Sequence, residues 1–287
     1  MADKHIDEIS GVETTGHEWD GIRELNNPMP RWWVWTFYAT IVWAIGYTIL
    51  YPAWPMVTQA TKGVLNYSSR AELAGELDGA RLAQGEILEK VSKVSLEEIL
   101  ADPQLAQYAT AGGASAFRVN CVQCHGTGAA GGQGYPNLND DDWLWGGDIN
   151  AIYHTIAHGV RDRVDGDTRF SEMPAYADIL QPEEVRQVAA YVVSLGGTPR
   201  DPAMVEPGMQ IFADNCAACH GENAEGNREF GAPNLADAIW LKVNGEAEIA
   251  RQVQQPRHGM MPAWSARLSN ETVKQLAVYV HSLGGGE

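Results

Sequence analysis

A chain of 287 residues has room for two ordinary domains and the segments that join them. With 37 acidic against 20 basic residues its formal charge is −17, which excludes a nucleic-acid binder, since that role needs a basic patch to displace counterions. The same acidity suits a plain solvated surface, or a face that steers a basic partner.

Taken in chain order, residues 1–31 are polar and acidic and lead into an uncharged run from Trp32 to Tyr51. At about 1.5 Å per helical residue the run is about 30 Å long, the thickness of a bilayer's hydrocarbon core. Trp32, Trp33 and Trp35 at one end, with Tyr51 and Trp54 at the other, suit the two interfacial belts. The run is too long, and its leader too acidic, for a cleaved signal peptide. A membrane-spanning helix over 32–51 is therefore expected in preference to a buried soluble one, and nothing after Tyr51 is long and apolar enough to cross back. Residues 52–107 read as a helical stalk, or as a surface that packs on another subunit. Ser69 with Glu72, and Ser95 with Glu98, have the spacing of capping boxes, and Leu73, Leu77, Ala80, Ile87 and Val91 recur near helical spacing.

The remainder is one pattern written twice. Gly113 and Phe117 precede Cys121 as Gly208 and Phe212 precede Cys216. Pro-Asn-Leu follows in each copy, leading to Trp143 and Trp240, and Met173-Pro-Ala matches Met261-Pro-Ala. Each copy closes on an amphipathic helix ending in Ser-Leu-Gly-Gly. Agreement at so many separated points is a duplication, with domains expected over 108–197 and 207–287 and a short proline-stiffened linker over 198–206. Both copies read as helical, so the fold class is all-α.

All four cysteines fall in two Cys-x-x-Cys-His motifs, Cys121/Cys124/His125 and Cys216/Cys219/His220. This is the c-type haem attachment pattern: on one helical turn each thiol can add to a haem vinyl group, and the adjacent histidine becomes an axial ligand. A thioredoxin-like dithiol would need a βαβ context, and a zinc site would have to draw on both distant motifs. Two covalently bound haem c groups are expected. A methionine opposite histidine would close the coordination shell and suit electron transfer. Met173 and Met261 are the candidates, because they stand at the same place in the repeat; Met260 is a rival whose counterpart is Glu172. Core filling is the plainer use of a methionine. His154 and His158 stand one helical turn apart, yet His154 has no counterpart in the second copy. His158 and His258 both precede a glycine and are candidates for hydrogen bonds to haem propionates, for a purely structural use, or for alternative sixth ligation.

Arg23 and Arg31 before the span and Lys62 and Arg70 after it leave the positive-inside signal weak. Haem attachment in bacteria is periplasmic, which places residues 1–31 in the cytoplasm and the haem domains in the periplasm, on a single-pass protein of the inner membrane.

The run "TGHEWDGIRELNNPMPRWW", the exit "YPAWP" and the two haem motifs together resemble the dihaem cytochrome c subunit, subunit III of CcoP/FixP type, of cbb3-type cytochrome c oxidases. The resemblance covers nearly the whole chain. It implies one N-terminal transmembrane helix followed by two tandem class I cytochrome c domains. Carried over by motif, Cys121 and Cys124 hold one haem with His125 and Met173 as axial ligands, and Cys216, Cys219, His220 and Met261 do the same for the other. The implied role is to accept electrons from a donor cytochrome c and pass them to the monohaem subunit and the haem–copper catalytic subunit, in aerobic or microaerobic respiration. No catalytic residue is expected in this chain: a haem–copper centre needs several histidines in a multi-helix bundle, and the single span has none. A dihaem cytochrome c peroxidase and a free-standing membrane-tethered electron shuttle are the alternatives.

Overall fold

The computed structural model describes residues 5–284; residues 1–4 and 285–287, at the outer ends of the first and last expected segments, lie outside the described residues. The chain divides into two compact units, residues 1–83 and 84–287.

The first unit opens with a departure from the all-helical expectation. Strands β1 (Thr14–Trp19) and β2 (Ile22–Leu25) form an antiparallel hairpin. Its turn is Asp20-Gly21, with φ of 49° and 83°, the double left-handed geometry that two-residue hairpins favour. Glu18 and Arg23 pair across it at 2.7 Å. Helix α1 (Arg31–Leu50) then follows Pro30 and is long and apolar enough to cross a membrane. The Thr36, Thr40 and Thr48 hydroxyls donate back to the carbonyls of Trp32, Phe37 and Ile45 at 2.9, 2.7 and 2.9 Å, so none would be stranded in hydrocarbon. At its far end the chain folds back: Val64 and Leu65 N–H donate to the Ile49 and Leu50 carbonyls at 2.9 and 3.0 Å, satisfying two acceptors that a helix end leaves open.

Helix α2 (Ser69–Lys93) starts one residue away from the expected capping box. Ser68 Oγ accepts from Ala71 N–H at 3.4 Å, and Glu72 accepts instead from the Tyr67 hydroxyl at 2.6 Å.

Within the second unit come α3 (Leu96–Ala101), α4 (Pro103–Asn120), α5 (Val122–His125), α6 (Ile149–His158), α7 (Pro182–Gly196), α8 (Val205–Asn215), α9 (Ala217–His220), α10 (Glu246–Gln254) and α11 (Asn270–His281). The Ser95–Glu98 capping box forms as expected, at 3.2 and 2.8 Å. Within the expected stalk segment, Val91, Leu96 and Ile99 are buried in the core around α4: apolar positions near helical spacing find a protein face to cover.

Two cores result, and they do not follow chain order. One joins α3, which precedes the repeats, and α4 and α6 of the first repeat to α11 of the second, through Leu105, Phe117, Ile152, Val273, Leu276 and Val280. The other joins α7 of the first repeat to α8 and α10 of the second, through Val185, Val188, Val192, Phe212, Ile249 and Val253. The repeats have thus exchanged their final helices. The short connection 197–204 between α7 and α8 accounts for it, since neighbouring elements on a short tether pack together by default. That leaves α4 to be covered by α11.

The two exchanged interfaces match in detail. A Cβ on Gly113 would lie 2.0 Å from the Gln275 carbonyl oxygen, and one on Gly208 2.0 Å from that of Gln187. Beside them the Phe117–Tyr279 and Phe212–Tyr191 ring centroids lie 5.4 and 5.2 Å apart. Only glycine admits this approach, so Gly113→Val is expected to cost about 1–3 kcal/mol or more by overpacking, read as a lower midpoint in denaturant. A midpoint unchanged from wild type would contradict the contact.

Candidate haem centres

Each cysteine motif is built by the helix before it. Cys121 N–H still closes α4 on the Phe117 carbonyl at 2.8 Å, while its own carbonyl accepts from Cys124 and His125 N–H at 3.1 and 2.9 Å. Cys216 does the same between α8 and α9, at 2.8, 3.1 and 3.0 Å. Both thiols and the imidazole therefore leave from a single turn, which Gly126 and Gly221 end at φ of 77° and 83°. All four thiols are free. Burial, with the second thiol nearby, pushes Cys121 and Cys216 up to about 11, whereas Cys124 and Cys219 are exposed.

The histidines are oriented alike. His125 Nδ1 lies 3.1 Å from the Pro136 carbonyl and His220 Nδ1 3.1 Å from that of Pro233. A carbonyl only accepts, so the proton sits on Nδ1 and the Nε2 lone pair is left for a metal. Burial holds both imidazoles below their ordinary pKa, in the neutral form that a ligand needs. Two free thiols and a neutral, tautomer-fixed imidazole on one turn fit a covalently attached haem at both places. The prolines were not singled out in the sequence, although the shared Pro-Asn-Leu carried the signal.

The methionine loops do not pack in chain order. Chain order pairs Met173 with His125 and Met261 with His220, but Met261 packs on the core that carries Cys121, and Met173 on the core that carries Cys216. The exchange of final helices takes each methionine loop with it. Trp264 N–H donates to the Ile156 and Ala157 carbonyls of α6, both at 3.1 Å. In the other lobe the Tyr176 hydroxyl donates to the Asn215 carbonyl at 2.7 Å. Met260 is 58% exposed and outside both cores.

The His154 and His158 rings meet at a tilt of 48° with centroids 4.8 Å apart, and His158 Nδ1 is engaged by the Asp165 carboxylate at 3.1 and 3.2 Å. Burial holds the His258 imidazole below its ordinary pKa. Near the first motif a groove of about 220 Å³ is lined by Tyr135, Pro136, Asp142, Trp240 and Leu241. Burial, then Asp237, Asp140 and Asp141, push the Asp142 carboxyl up to about 6.

Comparison with known proteins finds two family profiles in this chain. One, described as the N-terminal domain of cytochrome oxidase-cbb3, FixP, matches residues 11–58; the other, cytochrome c oxidase, cbb3-type, subunit III, matches residues 109–192 and 203–280. The chain is 68% identical to the Cbb3-type cytochrome c oxidase subunit FixP of Rhizobium meliloti over 100% of both chains. It is 54% identical to the subunit CcoP of Cereibacter sphaeroides, over 96% of this chain and 95% of that one. Against the FixP of Bradyrhizobium diazoefficiens the figure is 50%, over 98% of each.

Proposed function

The chain belongs to the subunit III family of cbb3-type cytochrome c oxidases, and from that premise we propose that it is a membrane-anchored dihaem carrier serving the oxygen-reducing subunits of such an oxidase. It takes electrons from a donor cytochrome c and passes them to the monohaem and haem–copper subunits. One observation carries the reading: two cysteine turns of the same build, each with its imidazole held by a proline carbonyl and a methionine loop packed on the same core.

Haem c, when bound, supplies a one-electron couple. The chain's own residues do the rest. Cys121, Cys124, Cys216 and Cys219 provide the thioether sulfurs, and His125 and His220 present Nε2. Met261 would hold the first haem with His125, and Met173 the second with His220, an imidazole and thioether pair that suits electron transfer. Residues 1–31 are cytoplasmic, 32–51 span the inner membrane, and the repeats 108–197 and 207–287, joined by 198–206, are periplasmic.

Isolation in mild detergent tests this: two covalent haems per chain and co-purifying oxidase subunits are expected. A chain that purifies alone supports the shuttle reading, and one that turns over hydrogen peroxide alone supports the peroxidase reading.

The portion after Tyr51 carries 30 acidic and 17 basic residues, and Asp140, Asp141, Asp142 and Asp237 concentrate negative charge beside the groove near His125. A basic donor is expected to reduce the protein about tenfold or more faster at low than at high ionic strength. Rates independent of salt would argue against docking by charge. Since Asp142 keeps its proton up to about 6, the patch gains charge as pH rises through that value, and the salt dependence should steepen with it.

A further inference from the structure

We propose that Arg161 is a positioning residue that braces both methionine loops at once, so that the sulfur ligation of the two irons is set by one side chain; this rests on the ligation reading above. Between Gly159 and Met173 the first repeat makes a long excursion, where the second has only Met260 between Gly259 and Met261. Arg161 projects from that excursion. Its Nε donates to the Gly259 carbonyl at 2.6 Å and its Nη1 to the Ser171 carbonyl at 2.8 Å. Each acceptor lies two residues before a methionine, one in each repeat.

The surroundings hold the brace in place. Val160 and Met261 exchange backbone hydrogen bonds at 3.0 Å each, and Asp162 Oδ2 accepts from Ala263 N–H at 3.0 Å. A Cβ on Gly159 would lie 2.3 Å from the Met261 carbonyl oxygen, so the excursion lies directly against that loop. Arg161 itself sits at φ 53°, a left-handed conformation that a long side chain keeps only where its contacts over-determine it. It is half-buried, and burial holds its pKa below the ordinary guanidinium value, with the nearby Glu172 carboxylate opposing that shift. A planar guanidinium presents its donors as a rigid fork, which suits two separate carbonyls in a way an ammonium does not. Through Arg161 the two methionine loops share a seam.

The test compares full-length, haem-loaded wild type with Arg161→Gln and Arg161→Lys by redox titration and by sulfur-to-iron charge-transfer absorption. Helix content and haem stoichiometry serve as checks that the fold is kept. In Arg161→Gln both titration steps are expected to move to lower potential, with loss of sulfur-to-iron absorption at both irons. Arg161→Lys should move both steps in the same direction, and it decides the matter if the glutamine variant does not accumulate. Movement of one step alone, of neither, or full rescue by lysine would overturn the brace. Wild type lacking sulfur-to-iron absorption altogether would instead remove the ligation reading.

Discussion

A chain stopped after Ser269 is expected to keep haem on Cys216 and Cys219 and to lose it from Cys121 and Cys124. The deleted segment begins with α11, which buries Val273, Leu276, Ala277, Val278 and Val280 in the core around α4 and α6. A fully buried apolar side chain of this kind is worth about 1.5–3 kcal/mol, so the set is comparable with the roughly 5–15 kcal/mol that hold a domain folded. Lys274 goes too. Its ammonium donates to the carbonyls of Val91, Ser92 and Val94 at 3.1, 3.0 and 2.6 Å, where a helix C-terminus favours a cation. Among the described residues, the core of the second lobe includes none from α11. Proteolysis followed by mass measurement of the haem-bearing peptides reads the outcome directly. Haem kept on the first motif and lost from the second would mean that the lobes pack in repeat order.

The second large effect is a crossed response to losing a methionine. In a full-length chain carrying Cys216→Ala and Cys219→Ala, only the first motif can hold haem. Met261→Ala in that background is expected to abolish sulfur-to-iron absorption and to lower the potential by on the order of a tenth of a volt, within the roughly 0.8 V that axial ligands command. Met173→Ala should leave both nearly unchanged. With Cys121→Ala and Cys124→Ala the roles reverse. If Met173→Ala proved the damaging change for the first motif, sulfur ligation would follow chain order after all.

The exchanged topology was hard to read from the sequence for a specific physical reason. The helix crossing uses Gly113, Phe117, Gln275 and Tyr279 at one interface and Gly208, Phe212, Gln187 and Tyr191 at the other. Because the repeats supply equivalent residues, either pairing satisfies the same contacts, and register alone cannot choose between them. The shortness of the 197–204 connection was the available signal. By contrast the cysteine motifs, the membrane-length helix and the Ser95 cap rest on local spacing, which one segment carries by itself. The N-terminal hairpin is legible in Asp20-Gly21, a local turn signal that the helical pattern of the rest of the chain outweighs. The burial of Val91 was not legible, since helical periodicity tells which face is apolar and not what covers it.

The nested arrangement also imposes a timetable on biosynthesis. Everything from Met173 to Val253 that builds the second lobe is continuous in the chain, so that lobe can close while translation is still under way. The first lobe waits for α11, which follows every segment of the second lobe in the chain. On the proposed dihaem reading, Cys121 and Cys124 are therefore open to haem for longer than Cys216 and Cys219, although they emerge first.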